Sequence, residues 1–433
     1  MKRLAMSQLE KWKNKKNRKP LIIRGARQVG KTWLMKEFGK LYFGNVVYIN
    51  FDNNERLKNV FDLDYDIGRI LSALKIEYGK SFRAEDTLLI FDEIQEVPKA
   101  LTSLKYFYEN APEYYIVAAG SLLGVALHEG TSFPVGKVDF LHLYPLNFQE
   151  FLLALGQGEL EGLLASEDYP LINSFSGKYR DLLKKYYYVG GMPEAVRTYI
   201  ETDDLGEVRT IQKELLIYYE NDLSKHAPKE TVPRIQMVWN SIPAQLAKEN
   251  RKFIYGLLRE GARAKDYEMA IQWLMDCGLV LKSCRIKKPG IPLIAYAEMS
   301  SFKMFLFDVG LLAAKGNLSP QTLLYGSAVF EEFKGALTEQ FVAQELTAAG
   351  FELYYYSTEN SSGEIDFMVQ QSSYCIPVEV KAQENLRARS LKAFCDKYHP
   401  EMAIRTSMSD YRKQEWMTNV PLFLLTSYLG RIL

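Results

Sequence analysis

Short apolar runs alternate with stretches of helical spacing over the first third of the chain. Leu21, Ile22 and Ile23 suit a strand buried on both faces, and Trp33, Leu34, Met35 and Phe38 then recur at helical spacing. Val46–Phe51 predicts a second strand. Helical periodicity follows from Asn53 to Lys80 through Leu57, Val60, Phe61, Ile67, Ile70, Leu71 and Leu74. Further strands are predicted at Thr87–Phe91, Tyr114–Ala119 and Val138–Tyr144. Five strands alternating with helices predict an α/β fold with a doubly wound parallel sheet. From Leu152 to about Lys229 the pattern is helical and rich in Leu and Tyr, broken by a tight turn at Gly190-Gly191-Met192-Pro193. Val232–Lys248 and Ala262–Gly278 predict two more helices. Leu279–Lys288 and Leu293–Tyr296 predict a hairpin joined through Lys287-Lys288-Pro289-Gly290. A last domain begins near Ser327, with a helix from Gly335 and strands at Gly363–Val369 and Ile376–Lys381.

The loop after the first strand carries the first chemistry. Gly25-Ala26-Arg27-Gln28-Val29-Gly30-Lys31-Thr32 has the form G-x-x-x-x-G-K-[ST] between a strand and a helix start. Its glycines let consecutive N–H groups turn inward on an anion, and the helix start adds positive potential. Lys31 is placed to reach the β- and γ-phosphates of ATP, and the Thr32 hydroxyl to ligate Mg²⁺. The third strand ends in Phe91-Asp92-Glu93, and a parallel sheet delivers such acids to the edge where the phosphate loop opens. Asp92 is then placed to hold the Mg²⁺ shell, and Glu93 to polarise the attacking water. The fourth strand ends in Gly120-Ser121. Ser121 reads either as a sensor of the γ-phosphate or as the cap of the next helix.

Composition narrows the classes. A chain of 433 residues is long enough for two to four domains, and 47% hydrophobic with 25% charged residues is ordinary for a globular protein. The net charge of +1 gives no global argument for nucleic acid or membrane, so any basic surface is local. One such excess lies between Val232 and Ser300, where eleven Lys and Arg face six acids, an excess of +5. Helix, helix, hairpin with that charge reads as a winged helix, used either for DNA binding or for packing. The run Lys11, Lys13, Lys15, Lys16, Arg18, Lys19 reads as a solvated linker face or a nucleic-acid arm. Asp222 and His226, four apart on a helix, read as a metal pair or as a plain helix end. Cys277, Cys284, Cys375 and Cys395 contain no C-x-x-C pair, which predicts buried thiols in a reducing compartment. Without a signal-peptide core or a span of ~18 apolar residues, the expected location is the cytoplasm.

The loop Gly25–Thr32 with its Arg27-Gln28, Phe91-Asp92-Glu93-Ile94-Gln95, Gly120-Ser121 and Tyr144-Pro145-Leu146-Asn147-Phe148 together resemble the prokaryotic AAA-type P-loop ATPases fused to a C-terminal domain of unknown function, DUF4143. Tyr188–Val196 and Tyr218–His226 are similar to further signatures of that family, so the resemblance covers nearly the whole chain. It implies ATP and Mg²⁺ as cofactors and Mg²⁺-dependent hydrolysis. It also marks a departure: the family commonly has Gly-Arg where this chain has Gly136-Lys137. Lys137 as a charge-stabilising finger keeps the charge and loses the planar fork that grips phosphate oxygens.

In the last domain, Glu379 and Lys381 are two apart on a strand and project together, and Asp366 on the neighbouring strand can join them. With Glu339 on the preceding helix, opposite its apolar side, the set resembles the PD-(D/E)xK nuclease core. That resemblance implies Glu339, Asp366 and Glu379 as ligands of a second Mg²⁺ or Mn²⁺, and Glu379 and Lys381 as catalytic groups. The expected organisation is an ATPase domain at 1–150, a helical lid at 151–230, a winged-helix domain at 231–326 and a nuclease-like domain at 327–433. Three functions compete: an ATP-regulated enzyme that cuts DNA, an ATPase switch that binds DNA or a protein partner through a silent nuclease-like domain, and a degenerate nucleotide binder. Intact Lys31, Thr32, Asp92 and Glu93 argue against the last.

Overall fold

A computed structural model describes residues 1–79, 82–120, 134–325, 331–358, 363–382 and 388–432. The chain divides into two units, Met1–Tyr144 with Asp276–Gly278, and Pro145–Met275 with Leu279–Leu433. The boundaries expected at 230/231 and 326/327 both fall inside the second unit.

In the first unit the apolar runs become five strands: β1 (Leu21–Arg24), β2 (Asn45–Asn50), β3 (Thr87–Asp92), β4 (Tyr115–Ala119) and β5 (Asp139–His142). Their order is β2-β3-β4-β1-β5, and each pairing is parallel. β3 is buried along its whole length, as an unbroken apolar run requires of a strand covered on both faces. Phe51, Phe61, Phe91 and Phe107 pack edge to face, with centroids 5.2 Å apart for Phe51–Phe61 and 5.5 Å for Phe61–Phe91. Each such contact adds about 1 kcal/mol beyond the area it buries. With all strands parallel, Gly25, Asp92 and Gly120 emerge at one edge of the sheet.

The second unit opens with helices, from Phe148–Ala154 to Leu205–His226, as the Leu and Tyr pattern predicts. The Gly190-Gly191 break is a packing requirement. Gly190 has φ 73°, and a Cβ on Gly191 would stand 2.0 Å from the Leu146 carbonyl oxygen. The Gly191 N–H donates to Asp308 at 2.6 Å, and Leu146 N–H donates to the Gly191 carbonyl at 2.7 Å. Buried Asp308 also caps the helix Val309–Lys315 by accepting from Leu311 N–H. Burial pushes its carboxyl from 3.8 up to about 6, against the pull of those amides.

Eight strands form the sheet of this unit: β6 (Val280–Ile286), β7 (Ala297–Leu306), β8 (Tyr354–Ser357), β9 (Glu364–Gln370), β10 (Cys375–Val380), β11 (Ile404–Ser407), β12 (Arg412–Lys413) and β13 (Thr418–Pro421). Their order is β12-β13-β11-β10-β9-β8-β6-β7. This corrects the expectation of a separate winged helix. The β6–β7 hairpin is the edge of the sheet, because β6 pairs in parallel with β8 at Cys284↔Tyr354. The second strand of the hairpin also differs from the expected one. Leu293–Tyr296 is a 3₁₀ turn, and the strand is Ala297–Leu306. Ser301–Leu306 are buried on both faces, Lys303 included, so no alternation marks them in the sequence.

The helix Glu331–Ala348 differs from expectation in the same way. Residues 336–346 are buried without a break, so Glu339 does not face away from the core. Its polar side chains bond the backbone of other elements. Gln340 accepts from Leu306 N–H and donates to the Leu306 carbonyl, and Gln344 accepts from Val309 N–H at 2.8 Å. Glu345 accepts from Phe148 N–H at 2.9 Å.

Burial, opposed by the Phe148 amide and helped by Glu150, lifts the Glu345 carboxyl from 4.5 to about 8. Between those two values the folded chain holds a proton that the unfolded chain releases. Stability is therefore lost as pH rises through that window, by a few kcal/mol at about 1.36 kcal/mol per pH unit. Glu345→Gln keeps the acceptor and removes the charge, so its melting temperature should gain on wild type steadily from pH 5 to about pH 8.5. A difference that stays constant over that range in thermal unfolding contradicts the assignment.

Candidate functional site

Two sets of side chains were expected to carry chemistry, one in each unit. The first begins where β1 ends. Gly25 has φ 148° and a Cβ there would stand 2.1 Å from the Leu143 carbonyl oxygen, so only glycine lets the loop leave the strand this way. Gln28 and Gly30 are left-handed, at φ 62° and 96°, and Gly30 caps the helix Lys31–Tyr42. The loop is tied from behind by buried Arg3, which donates to the Val29 carbonyl at 2.8 Å and to the Tyr144 carbonyl at 2.6 Å. No local pattern around Arg3 signals this use.

Lys31 is buried and donates to the carbonyls of Gly25 at 2.9 Å and Ala26 at 2.7 Å. Burial pulls its ammonium from 10.5 down to about 8; Glu93 and Asp92 oppose that shift and Arg27 adds to it. Thr32 donates to Asp92 Oδ2 at 2.7 Å, which brings the two expected Mg²⁺ ligands together. The same oxygen accepts from the Tyr48 hydroxyl at 2.9 Å, across the β2–β3 pairing. Tyr48 was not singled out from the sequence, although its place on the strand beside β3 could have suggested it. Glu93 adopts a left-handed conformation, φ 50° and ψ 45°, directly after the strand. Gln95 Nε2 donates to Glu93 Oε2 at 2.7 Å and fixes the direction of that carboxylate.

One expected member, Lys137, is not brought to this edge. Ser121 lies outside the described residues. Lys137 precedes β5, and β5 runs parallel to β1 from Asp139 opposite Leu21 to His142 opposite Arg24. It therefore sits at the opposite edge of the sheet, one four-residue strand or about 13 Å away along the strand direction. There its ammonium pairs with Glu109 at 3.0 Å. The expectation of Lys137 as a finger acting within its own chain is corrected by this topology.

The second set converges as expected and then departs from it. Glu339, Asp366, Glu379 and Lys381 all line one pocket of about 550 Å³, together with Glu249, Arg251 and Glu364. β9 and β10 are antiparallel neighbours, Phe367 opposite Val378, which sets Asp366 beside the end of β10. Asp366 Oδ2 accepts from Val380 N–H at 2.7 Å. Glu379 Oε1 pairs with Lys381 at 2.8 Å. Glu379 Oε2 is buried and has no hydrogen-bond partner among the described residues.

Lys303, on β7, was not foreseen. Its side chain is fully buried, and its ammonium lies 2.5 Å from Glu364, 3.3 Å from Glu339 and 3.9 Å from Asp366. Burial alone would lower its pKa, but Glu339, Glu364 and Asp366 outweigh that and raise it. Arg251 pairs with the other oxygen of Glu339. It is left-handed at φ 49°, and Lys252 next to it bridges to Lys303 on the edge of the sheet. Burial raises Glu339, but Lys303 and Arg251 overcome it and hold the carboxyl below its usual range. Burial and then Glu339 push Asp366 well above that range. The expected three-carboxylate metal set is therefore corrected. Both oxygens of Glu339 are taken by protein cations, and no group of three His, Cys, Asp or Glu among the described residues is arranged to hold a metal. Asp222 and His226 pair with each other at 3.4 Å near a helix end.

The basic residues of the expected DNA face lie at two surface positions. Arg263 and Lys265 are exposed at the start of the helix Ala264–Asp276, and Lys287 and Lys288 are exposed at the tip of the β6–β7 hairpin. No described helix is long and apolar enough to cross a membrane.

Residues 17–152 match the family model of an AAA domain, residues 180–322 that of a domain of unknown function, DUF8612, and residues 334–425 that of a domain of unknown function, DUF4143. None of the curated proteins matches the sequence. Among solved structures the chain is similar to a Walker-type ATPase of Pyrococcus abyssi, at 16% identity and a TM-score of 0.45, over 72% of this chain and 94% of that one. It is also similar to the ORC1 protein of Aeropyrum pernix in complex with DNA, at 13% identity and a TM-score of 0.27, over 73% and 93% of the two chains. A third likeness is to Drosophila ORC bound to DNA, at 13% identity and a TM-score of 0.29, over 72% and 94%.

Proposed function

We propose that the chain binds and hydrolyses ATP with Mg²⁺ in its first unit, and that the nucleotide state governs action on DNA by the second. The observation that carries the first half is the meeting of Lys31, Thr32, Asp92 and Glu93 at one sheet edge, with Thr32 and Asp92 already hydrogen-bonded. The carbonyls of Gly25 and Ala26 hold the Lys31 ammonium where an incoming β- or γ-phosphate exchanges for them. Thr32 and Asp92 would hold the Mg²⁺, which neutralises charge on the phosphate oxygens. Tyr48 fixes the Asp92 carboxylate through the oxygen it shares with Thr32. Glu93, aimed by Gln95, takes the proton of the attacking water. The positive charge on the γ-phosphate then comes from Arg27 or from a neighbouring subunit.

DNA is the proposed partner because the second unit carries a local basic surface in a nearly neutral chain. The pocket of Asp366, Glu379 and Lys381 is its proposed phosphodiester site, and the unpartnered buried oxygen of Glu379 favours this over a silent binding module. Lys381, held by Glu379 and partly exposed, is placed to orient a water. Four free cysteines suit the reducing cytoplasm.

Lys31→Ala should abolish ATP binding. Glu93→Gln should keep binding and lose turnover by roughly 10²- to 10⁴-fold if the acid is the general base. Equal ATPase rates for wild type and Glu93→Gln would sink the catalytic assignment. Charge reversal at Lys287 and Lys288 should weaken DNA binding and reduce the log–log salt slope by about 0.9 for each phosphate no longer neutralised. Unchanged affinity across a salt series returns the hairpin to a packing role. Plasmid incubated with Mn²⁺ and ATP should be nicked by wild type and left intact by Asp366→Ala. If wild type leaves it intact as well, the second unit binds without cutting.

A further inference from the structure

We infer that Gly278 is a positioning residue of the phosphate loop, and that through it the loading of that loop reaches the basic segments on either side. This rests on the reading that the first unit binds ATP, and it adds where the nucleotide state leaves the site. Asp276–Gly278 belong to the first unit, although the chain on both sides of them belongs to the second. Within the first unit Gly278 lies directly against the loop. A Cβ on Gly278 would stand 3.3 Å from the Ala26 nitrogen and 3.8 Å from the Gly25 carbonyl carbon, the two atoms of one peptide bond. That peptide has little room to give. Gly25 is packed against the Leu143 carbonyl, and the Gly25 and Ala26 carbonyls both accept from Lys31. Backbone cannot turn aside as the end of a side chain does, so a methyl group at 278 moves the loop or is itself displaced. Arg3 and Leu143 hold the loop from within residues 1–144, and Gly278 reaches it from far along the chain.

The corner is stiff, and it is continuous in sequence with the residues proposed to meet DNA. Gly278 is left-handed at φ 71° and follows the helix Ala264–Asp276. The Leu279 N–H donates to the Leu274 carbonyl at 3.0 Å, the closing bond of a glycine-capped helix end. The Leu279 carbonyl accepts from Phe307 N–H at 3.2 Å, and β6 begins at Val280. Arg263 and Lys265 are exposed at the start of that helix, and Lys287 and Lys288 at the tip of the hairpin that β6 opens. An arriving β- or γ-phosphate draws the Lys31 ammonium from the Gly25 carbonyl, so the peptide that Gly278 touches loses its bond from Lys31. The atoms that change are therefore the ones that Gly278 meets. A ligand shifts an equilibrium only through contacts that differ between its two states, and this contact differs.

The test uses the full chain, a non-hydrolysable ATP analogue and Mg²⁺. In calorimetry Gly278→Ala should bind the analogue about tenfold more weakly than wild type. Gly156→Ala is the control for backbone strain, since Gly156 also has φ 71° but open space where its Cβ would stand. That variant should bind within about twofold of wild type. Hydrogen exchange on wild type, read with and without the analogue, should change by about tenfold at residues 279–286. Lys31→Ala, which cannot hold the phosphates, should show no such change. The exchange readout needs no substitution at 278, so it decides alone should Gly278→Ala fail to fold. Equal affinity in Gly278→Ala and wild type, an equal loss in Gly156→Ala, or an exchange change confined to residues 25–32 overturns the inference and leaves the ATP reading intact. A wild type that binds no analogue overturns both.

Discussion

A polar group taken out of water must find a partner, and the second unit is arranged around one helix that obeys this rule on every side. Residues 336–346 of Glu331–Ala348 are buried without interruption, yet the stretch contains Thr338, Glu339, Gln340, Gln344 and Glu345. The last four reach other elements, Glu339 and Gln340 both meeting β7. Gln340 closes the end of β7, Gln344 holds the first amide of Val309–Lys315, Glu345 holds the first amide of Phe148–Ala154, and Glu339 meets Lys303 and Arg251. An unmade bond at such a depth costs about 1–3 kcal/mol. Gln344 also donates to the Tyr186 hydroxyl, which in turn donates to the Leu146 carbonyl, the atom that leaves no room for a side chain on Gly191. The glycine turn, the early helices and the late sheet are therefore fixed by one chain of hydrogen bonds.

The parts of this architecture that were legible in the sequence are those whose pattern is local. A run of four apolar residues ending in Asp92-Glu93, and a glycine loop ending in Lys31-Thr32, each carry their meaning within eight positions, and the sheet places them as the run predicts. The parallel order of β1 to β5 followed from strand and helix alternation. What failed did so because the relevant neighbour is far away in sequence. Lys137 has the charge for a finger, but its position relative to the phosphate loop depends on the direction of β5, which puts it at the wrong edge. The hairpin has the order of a winged helix, and nothing local reveals that β6 will pair with β8 some seventy residues later.

Lys303 was hidden for a related reason. A lysine inside the apolar stretch Phe302-Lys303-Met304-Phe305 gives no sign in the sequence of what pairs with it. Burial on both faces is possible only because Glu339, Glu364 and Asp366, from a helix and another strand, supply the charge that water would have supplied. The four signature residues Glu339, Asp366, Glu379 and Lys381 were readable as a set. Their pairing with buried cations was not, since it depends on Lys303 and Arg251, which belong to no motif.

The two buried lysines show how the same residue type is prepared for opposite tasks. At Lys31 desolvation outweighs the pull of Glu93 and Asp92, and the ammonium is left at about 8, bonded to carbonyls. An ammonium bound so weakly gains when an anion arrives, because phosphate charge supplies what burial removed. At Lys303 the balance is reversed, and three carboxylates within 4 Å outweigh complete burial. Near a protein surface one such contact is worth about 4 kcal/mol, and the attraction grows as water is excluded. A new ligand would have to better several of these contacts at once to change the lysine's partners. Lys31 can therefore exchange its partners in a binding step, whereas Lys303 keeps its own.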